Sequence, residues 1–132
     1  AGLARASVAR HREAVLPALE IVDTRYPEYR FTIVDNIADN SSSAGYVVGD
    51  ALPWHAALDL ATVEVSLHAD GRLLGEGRGA DAMGDPLLAL AWLAGFLAAR
   101  GEAVPAGAIV LTGGLTRAHE ARAGQVFEAR FG

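Results

Sequence analysis

The sequence predicts an α+β fold of mixed topology, and three observations carry that reading. A hairpin is written over residues 62–77: Thr62, Val63, Val65 and Leu67 lead into Asp70-Gly71, and Arg72 to Gly77 returns. An Asp-Gly pair supplies the positive-φ residues that a two-residue turn requires. One helix is punctuated at both ends: Asp85 can cap it, Pro86 suits its first position, residues 87–100 are rich in Leu, Ala and Trp, and Gly101 ends it. The other strand-like segments do not alternate with helices as a regular βαβ array would.

Taken in order, residues 2–15 read as a helix, with Leu3, Val8 and Val15 among alanines and charged residues, and Pro17 limiting its extension. Residues 18–23 (Ala-Leu-Glu-Ile-Val-Asp) read as a short strand, and 26–29 as a turn around Pro27. From Phe31 to Asn40 apolar and polar residues mix at helical spacing and close in a polar loop over 39–43. Residues 45–48 form the next strand, ending at Gly49-Asp50. The helix after Asp85 is apolar on most faces, so burial against a sheet is expected. Residues 108–112 and 126–131 read as two further strands.

Composition narrows the function classes. The chain of 132 residues has the length of one domain, and 52% apolar against 20% charged residues argues for a packed core rather than disorder. Eleven basic against sixteen acidic residues, with no basic stripe, exclude a nucleic-acid binder. The absence of cysteine excludes disulfides and thiolate chemistry and fits a cytoplasmic setting. No apolar run reaches the length of a membrane span, and Arg5, Arg10, His11 and Arg12 interrupt any signal-peptide core, so no membrane association is expected.

Four places could carry chemistry. Glu20 lies inside Leu-Glu-Ile-Val, where a carboxylate costs several kcal/mol, in order of magnitude, unless a cation or donors meet it. It can sit on the solvated face of an edge strand, pair with Arg25, or ligate a hard cation such as Mg²⁺ or Mn²⁺. The stretch 35–45, with Asp35, Asn36, Asn40 and Ser41, is either a helix end with an Asx- and Ser-rich turn or a bed of donors for a carboxylate or oxo group. The run Gly75-Glu76-Gly77-Arg78-Gly79 matches neither a phosphate loop nor a dinucleotide fingerprint. The loop Leu111-Thr112-Gly113-Gly114-Leu115-Thr116 follows a strand-like run; it is a plain turn or a presenter of backbone N–H groups to an anion. His11, His55, His68 and His119 lack metal-ligand spacing and read as surface or turn residues, while Trp54 and Trp92 read as core or interface.

In combination, Pro17 to Arg25, Asp35 to Ser41, Gly79-Ala80 through Gly84-Asp85-Pro86 to Ala91-Trp92-Leu93-Ala94, and Leu111 to Thr116 resemble the hydratase/decarboxylase family of the fumarylacetoacetate hydrolase superfamily, in order and over nearly the whole chain. Its members include 2-hydroxypenta-2,4-dienoate (2-keto-4-pentenoate) hydratase and 4-oxalocrotonate decarboxylase. The resemblance implies a mixed β-roll of the superfamily's C-terminal-domain type, with a buried helix packed on the sheet. It also implies a Mg²⁺ or Mn²⁺ site made by a Glu-x-Glu pair and a later third carboxylate, which Glu20 matches. The Glu-x-Glu pair and the family's N-terminal lysine would lie upstream of Ala1, and the family runs on past the last strand. Residues 1–132 are thus expected to be a single catalytic-domain fragment trimmed at both ends.

By the same resemblance Ser41 is the catalytic, substrate-contacting serine, and Asp35, Asn36 and Asn40 share its motif. Thr112, Gly113 and Gly114 match the loop over the substrate carboxylate. The implied activity is that of a metal-assisted lyase of aromatic or steroid meta-cleavage catabolism, adding water to 2-hydroxypenta-2,4-dienoate-type enol acids to give 4-hydroxy-2-oxo acids. The alternatives are a 4-oxalocrotonate-type decarboxylase and, for the chain alone, a silent assembly module; C–C hydrolysis ranks lowest. The expected partners are a small 2-oxo acid, further copies of the chain (suggested by the helix and an exposed Trp54 region), and a pathway enzyme.

Overall fold

The turn chemistry at Asp70-Gly71 is realised as expected: the two residues take φ of 51° and 79°, and Ala69 pairs with Arg72 across the turn. A computed structural model describes Val8 and residues 13–55 and 57–132. Its strands are β1 (Ala14–Val15), β2 (Ala18–Val22), β3 (Ser43–Val48), β4 (Leu52–Pro53), β5 (Glu64–Ala69), β6 (Arg72–Arg78) and β7 (Phe127–Phe131). The helices α1 (Ile33–Ala38) and α2 (Pro86–Ala98) and four short 3₁₀ turns accompany them among the described residues. All strand pairs are antiparallel: β1 with β4, β2 with β3, and a three-stranded sheet in the order β6-β5-β7.

Alternation on β5 sets the inside of that sheet. Val65, Leu67 and Ala69 are buried, and Phe127, Ala129 and Phe131 of β7 lie half-buried in register beside them. The other face is polar, with ion pairs Glu64–Arg78 at 3.0 Å and Glu128–Arg130 at 2.8 Å. His68 belongs to this face. It corrects the surface-or-turn reading, for it is a half-buried mid-strand residue whose Nδ1 has no hydrogen-bond partner among the described residues. His55 and His119 are exposed outside helix and strand, and His11 lies outside the described residues.

The helix α2 starts where its cap requires: Leu87 N–H donates to Asp85 Oδ1 at 2.8 Å, Pro86 takes the first turn, and Gly101, at φ 75°, follows the last. Its burial differs from expectation. Leu87 and Ala91 pack with Leu60 and Val8 in the core, with Trp54, Leu58 and Val63 against them. Leu88, Trp92 and Phe96 form an exposed stripe, Trp92 being 60% exposed and stacked on Phe96 at 5.3 Å. An all-apolar helix announces hydrophobicity but not which neighbour covers each face. The exposed tryptophan is therefore Trp92, whereas Trp54 is half-buried on the core.

Three further expectations change. The helix read over 2–15 falls mostly outside the described residues, and its end, Ala14–Val15, is a strand paired with Leu52 and Pro53. Residues 108–112 join no ladder; they belong to an irregular connection from 102 to 122, because β-propensity names no partner strand. The stretch Gly79–Ala98 does reach membrane-span length and hydropathy by composition. Its regular helix, however, is 13 residues, about 20 Å, shorter than the roughly 30 Å of a bilayer core.

Gly77 in β6 and Gly79 just beyond it let other backbone close on the sheet. A Cβ on Gly77 would stand 1.8 Å from the Leu115 carbonyl oxygen, and one on Gly79 1.7 Å from that of Leu60. Both positions are closed to any side chain, so backbone packs directly on backbone. Gly77→Ala and Gly79→Ala are each expected to destabilise the fold by at least the roughly 1–3 kcal/mol of ordinary overpacking. Gly45→Ala, whose Cβ meets nothing within 4 Å, should leave the melting temperature nearly unchanged. Thermal melts of the three variants check this.

Candidate metal and carboxylate-binding site

Between β2, the inner face of β5 and β7, helix α2 and the 102–122 connection lies an open cavity of about 1730 Å³. Glu20 enters its lining from β2, opposite Tyr46 of β3. Among the described residues the strand pairs with β3 alone, and Glu20 is solvent-exposed on it. Arg25 is not its partner. Thr112, Gly113 and Gly114 line the same cavity from the connection, with Gly113 at φ 120°, a conformation that favours glycine. A smaller cavity of about 350 Å³ beyond the β5–β6 turn is lined by none of the sequence-predicted site residues.

The 35–43 stretch forms a second polar group. Thr32 N–H and Oγ donate to Asp35 Oδ2 at 2.9 and 2.8 Å, and Asp35 N–H returns to Thr32 Oγ at 3.3 Å. This reciprocal cap starts α1 and, through the Thr32 backbone first and its hydroxyl second, lowers the Asp35 pKa below its ordinary value. Asn36 Oδ1 accepts from Ser42 Oγ at 3.5 Å. Asn40, Ser41 and Ser42 all take left-handed φ, from 52° to 60°, an uncommon run for non-glycine residues. Asn40 and Ser41 are exposed, and Ser42 is buried.

The residue that organises this group is Asp39, which the sequence reading left out of the site. It is 6% exposed. Thr24 Oγ donates to Asp39 Oδ2 at 2.8 Å, Arg25 N–H at 3.2 Å and Ser42 Oγ at 3.3 Å, and the Arg25 guanidinium pairs with Oδ1. Arg25 also donates to the Asp39 carbonyl at 3.0 Å. Burial pushes the carboxyl pKa up, but the Thr24 hydroxyl, the Arg25 backbone and guanidinium and the Ser42 hydroxyl outweigh it and hold the value low. The available signal was Asp39 followed by serines, fifteen residues after a Thr-Arg pair at a strand end.

The two groups meet at the end of the β2–β3 pair. Val22 and Asp23 line the cavity, Asp23 N–H donates to the Ser42 carbonyl at 2.8 Å, and Tyr29 Oη donates to Val22 O at 3.2 Å. Glu20 lies three residues back along the strand, about 10 Å away. The structure thus brings Glu20 together with Thr112, Gly113 and Gly114, whereas Asp35, Asn36, Asn40 and Ser41 stand outside the cavity lining. Glu20 offers the oxygen donor that hard cations take, but among the described residues no three acidic or imidazole side chains converge as a metal site. These residues alone do not fit a complete one.

No family model matches the chain. It is 37% identical over 117 residues to the 4-oxalocrotonate decarboxylase of Pseudomonas putida, which spans 89% of this chain and 44% of that protein. The 2-hydroxyhexa-2,4-dienoate hydratase of Comamonas testosteroni is 37% identical over 127 residues, 96% of this chain and 48% of the relative. The solved 4-oxalocrotonate decarboxylase of Pseudomonas putida G7, complexed with magnesium and adipate, superposes with a TM-score of 0.90 at 34% identity, over 96% of this chain and 48% of that one. The homologues of this chain are hydratases and decarboxylases. The chain spans about half the length of the relatives it matches, and those relatives are enzymes.

The Asp39 network has a pH signature. A carboxyl whose folded pKa is lowered stabilises the fold fully above its unfolded value, near 3.8 here, and that contribution is lost as pH falls through the folded value. Melting temperature should therefore fall as pH drops below about 4. Asp39→Asn should lower it by several degrees at neutral pH and flatten its acid dependence, as melts across that range would register.

Proposed function

We propose that the full-length protein is a metal-assisted lyase of small 2-oxo enol acids, adding water to a 2-hydroxypenta-2,4-dienoate-type substrate to give a 4-hydroxy-2-oxo acid. The observation that carries this reading is that Glu20 and the Thr112-Gly113-Gly114 turn line one cavity in a chain of this family. Glu20 would be one carboxylate ligand of Mg²⁺ or Mn²⁺, with the remaining ligands supplied by the half of the protein beyond this match. Bound there, a divalent cation supplies Lewis acidity toward a 2-oxo carboxylate. Backbone N–H groups of Gly113 and Gly114 would hold the substrate carboxylate. The polar Asp35, Asn36, Asn40 and Ser41 segment would close the rim, with Ser41 reaching the substrate. The superfamily β-roll and a complete site formed across both halves belong to the same proposal.

Decarboxylation is the second reading, favoured by the likeness to the decarboxylase complexed with magnesium and adipate. In both reactions electrons move into the 2-oxo group's conjugated system, so the same groups serve either. The product decides: a 4-hydroxy-2-oxo acid with carbon conserved marks hydration, and stoichiometric CO₂ marks decarboxylation.

With the full-length protein, activity should vanish with chelator and return with Mg²⁺. Glu20→Gln should lower kcat/KM by more than about 100-fold, since even outer-shell changes at metal sites cost 10–100-fold. Activity indifferent to chelator contradicts the reading. Residues 1–132 alone, offering one carboxylate of the set, should show no stoichiometric Mn²⁺ binding by titration calorimetry.

A further inference from the structure

Arg72 is the exception on an otherwise apolar sheet face. Register sets Gly77, Val65 and Phe131 in one rung on the inside of the β6-β5-β7 sheet, and Gly75, Leu67 and Ala129 in the next. The last rung, beside the Asp70-Gly71 turn, holds Arg72, Ala69 and Phe127. Every other member of these rungs carries an apolar side chain or none. At the centre of the last rung stands a small residue, Ala69, between a guanidinium and a phenyl ring. The volume it leaves is the smaller cavity, about 350 Å³, lined by all three. That size falls within the roughly 300–1,000 Å³ of small-molecule sites.

The charges around this cavity are not balanced within it. Both oxygens of Asp70 are taken, by the Val126 N–H at 2.9 Å and the Gln125 side-chain amide at 3.4 Å, which clasps the chain before β7 to the turn. Glu120 spends its two oxygens on Arg122, at 3.3 and 3.2 Å. The Arg72 guanidinium, by contrast, meets no carboxylate and no other acceptor among the described residues. Its neighbour on the lining is His119, whose Nε2 stands 3.8 Å from where a Gly75 Cβ would be, one inner-face position along β6. Leu74 and Phe127 supply an apolar wall. A planar guanidinium receives a carboxylate through two parallel charge-assisted hydrogen bonds, and a phenyl ring beside it offers a face or edge to a second ring.

We propose that this cavity is a second ligand site, taking a small organic monocarboxylate with its carboxylate on Arg72, beside His119, and its apolar body against Leu74 and Phe127. The inference stands apart from the lyase reading, because Glu20 and the Thr112-Gly113-Gly114 turn line the large cavity and not this one. The test is titration calorimetry of the full-length protein with benzoate, run in chelator so that no cation near Glu20 can hold the carboxylate. Wild type should bind one benzoate per chain, and benzamide, of the same shape without the charge, should bind at least about 10-fold more weakly. Arg72→Met should cost benzoate about 10-fold or more in affinity, the lower end for a hydrogen bond to a charged group, and Arg72→Lys should recover part of it. Ala69→Leu, which fills the gap while keeping the arginine, should abolish binding. Arg72 is exposed, so its replacement leaves the fold intact and decides the matter even if Ala69→Leu does not fold. No benzoate binding by wild type, equal affinity for benzamide, or unchanged affinity in Arg72→Met overturns the assignment.

Discussion

The cavity exists because one backbone carbonyl rests where a side chain would otherwise be. Residues 102–122 carry no ladder of their own, so nothing regular fixes their path across the β6-β5-β7 sheet. The Leu115 carbonyl against Gly77 supplies that fix by steric fit. It sets how far Thr112, Gly113, Gly114 and Arg117 stand from the inner face of β5, and hence the shape of the space that Glu20 faces from the other side. The Gly-x-Gly-x-Gly run, which superficially suggests a phosphate loop, instead lets other backbone lie on Gly77 within β6 and on Gly79 just beyond it.

A second fastening works by charge rather than by fit. Asp39 is buried with four donors around its carboxylate, drawn from the end of β2 and from the 3₁₀ turn before β3. Desolvating a carboxylate is costly, and the cost is recovered only when every donor is in place. This makes the junction of the 35–43 segment with the strand pair all-or-none. The left-handed run Asn40-Ser41-Ser42 is held by that junction, so its backbone strain is stored at the end of the β2–β3 pair.

Local rules were legible in the sequence. Asp70-Gly71 specified its turn, and Asp85, Pro86 and Gly101 specified the bounds of α2, because each acts through its own backbone. Glu20 stood out as a carboxylate in an apolar strand, and the glycines after Thr112 stood out after a strand-like run. Relations between distant segments were not legible. Nothing within residues 108–112 says that no strand will pair with them, and nothing in α2 says that Trp92 stays outside while Leu87 goes in. Asp39 was hidden for the same reason. Its partners Thr24 and Arg25 are fourteen or more residues away, and its neighbours Asp35, Asn36 and Asn40 look equally apt. Family resemblance reached the right relatives because it uses the order of several motifs at once, yet hydratases and decarboxylases both match.

The central claim is spatial: a divalent cation held by Glu20 lies across the cavity from the Gly113-Gly114 turn. Paramagnetic broadening of amide signals in the full-length protein on adding Mn²⁺ measures this directly. The claim predicts selective loss of the Gly113, Gly114 and Glu20 amide resonances at substoichiometric metal, with Gly71 and Gly101 untouched. Broadening centred on the Asp35 to Asp39 segment, with the Gly113 and Gly114 signals intact, would contradict it.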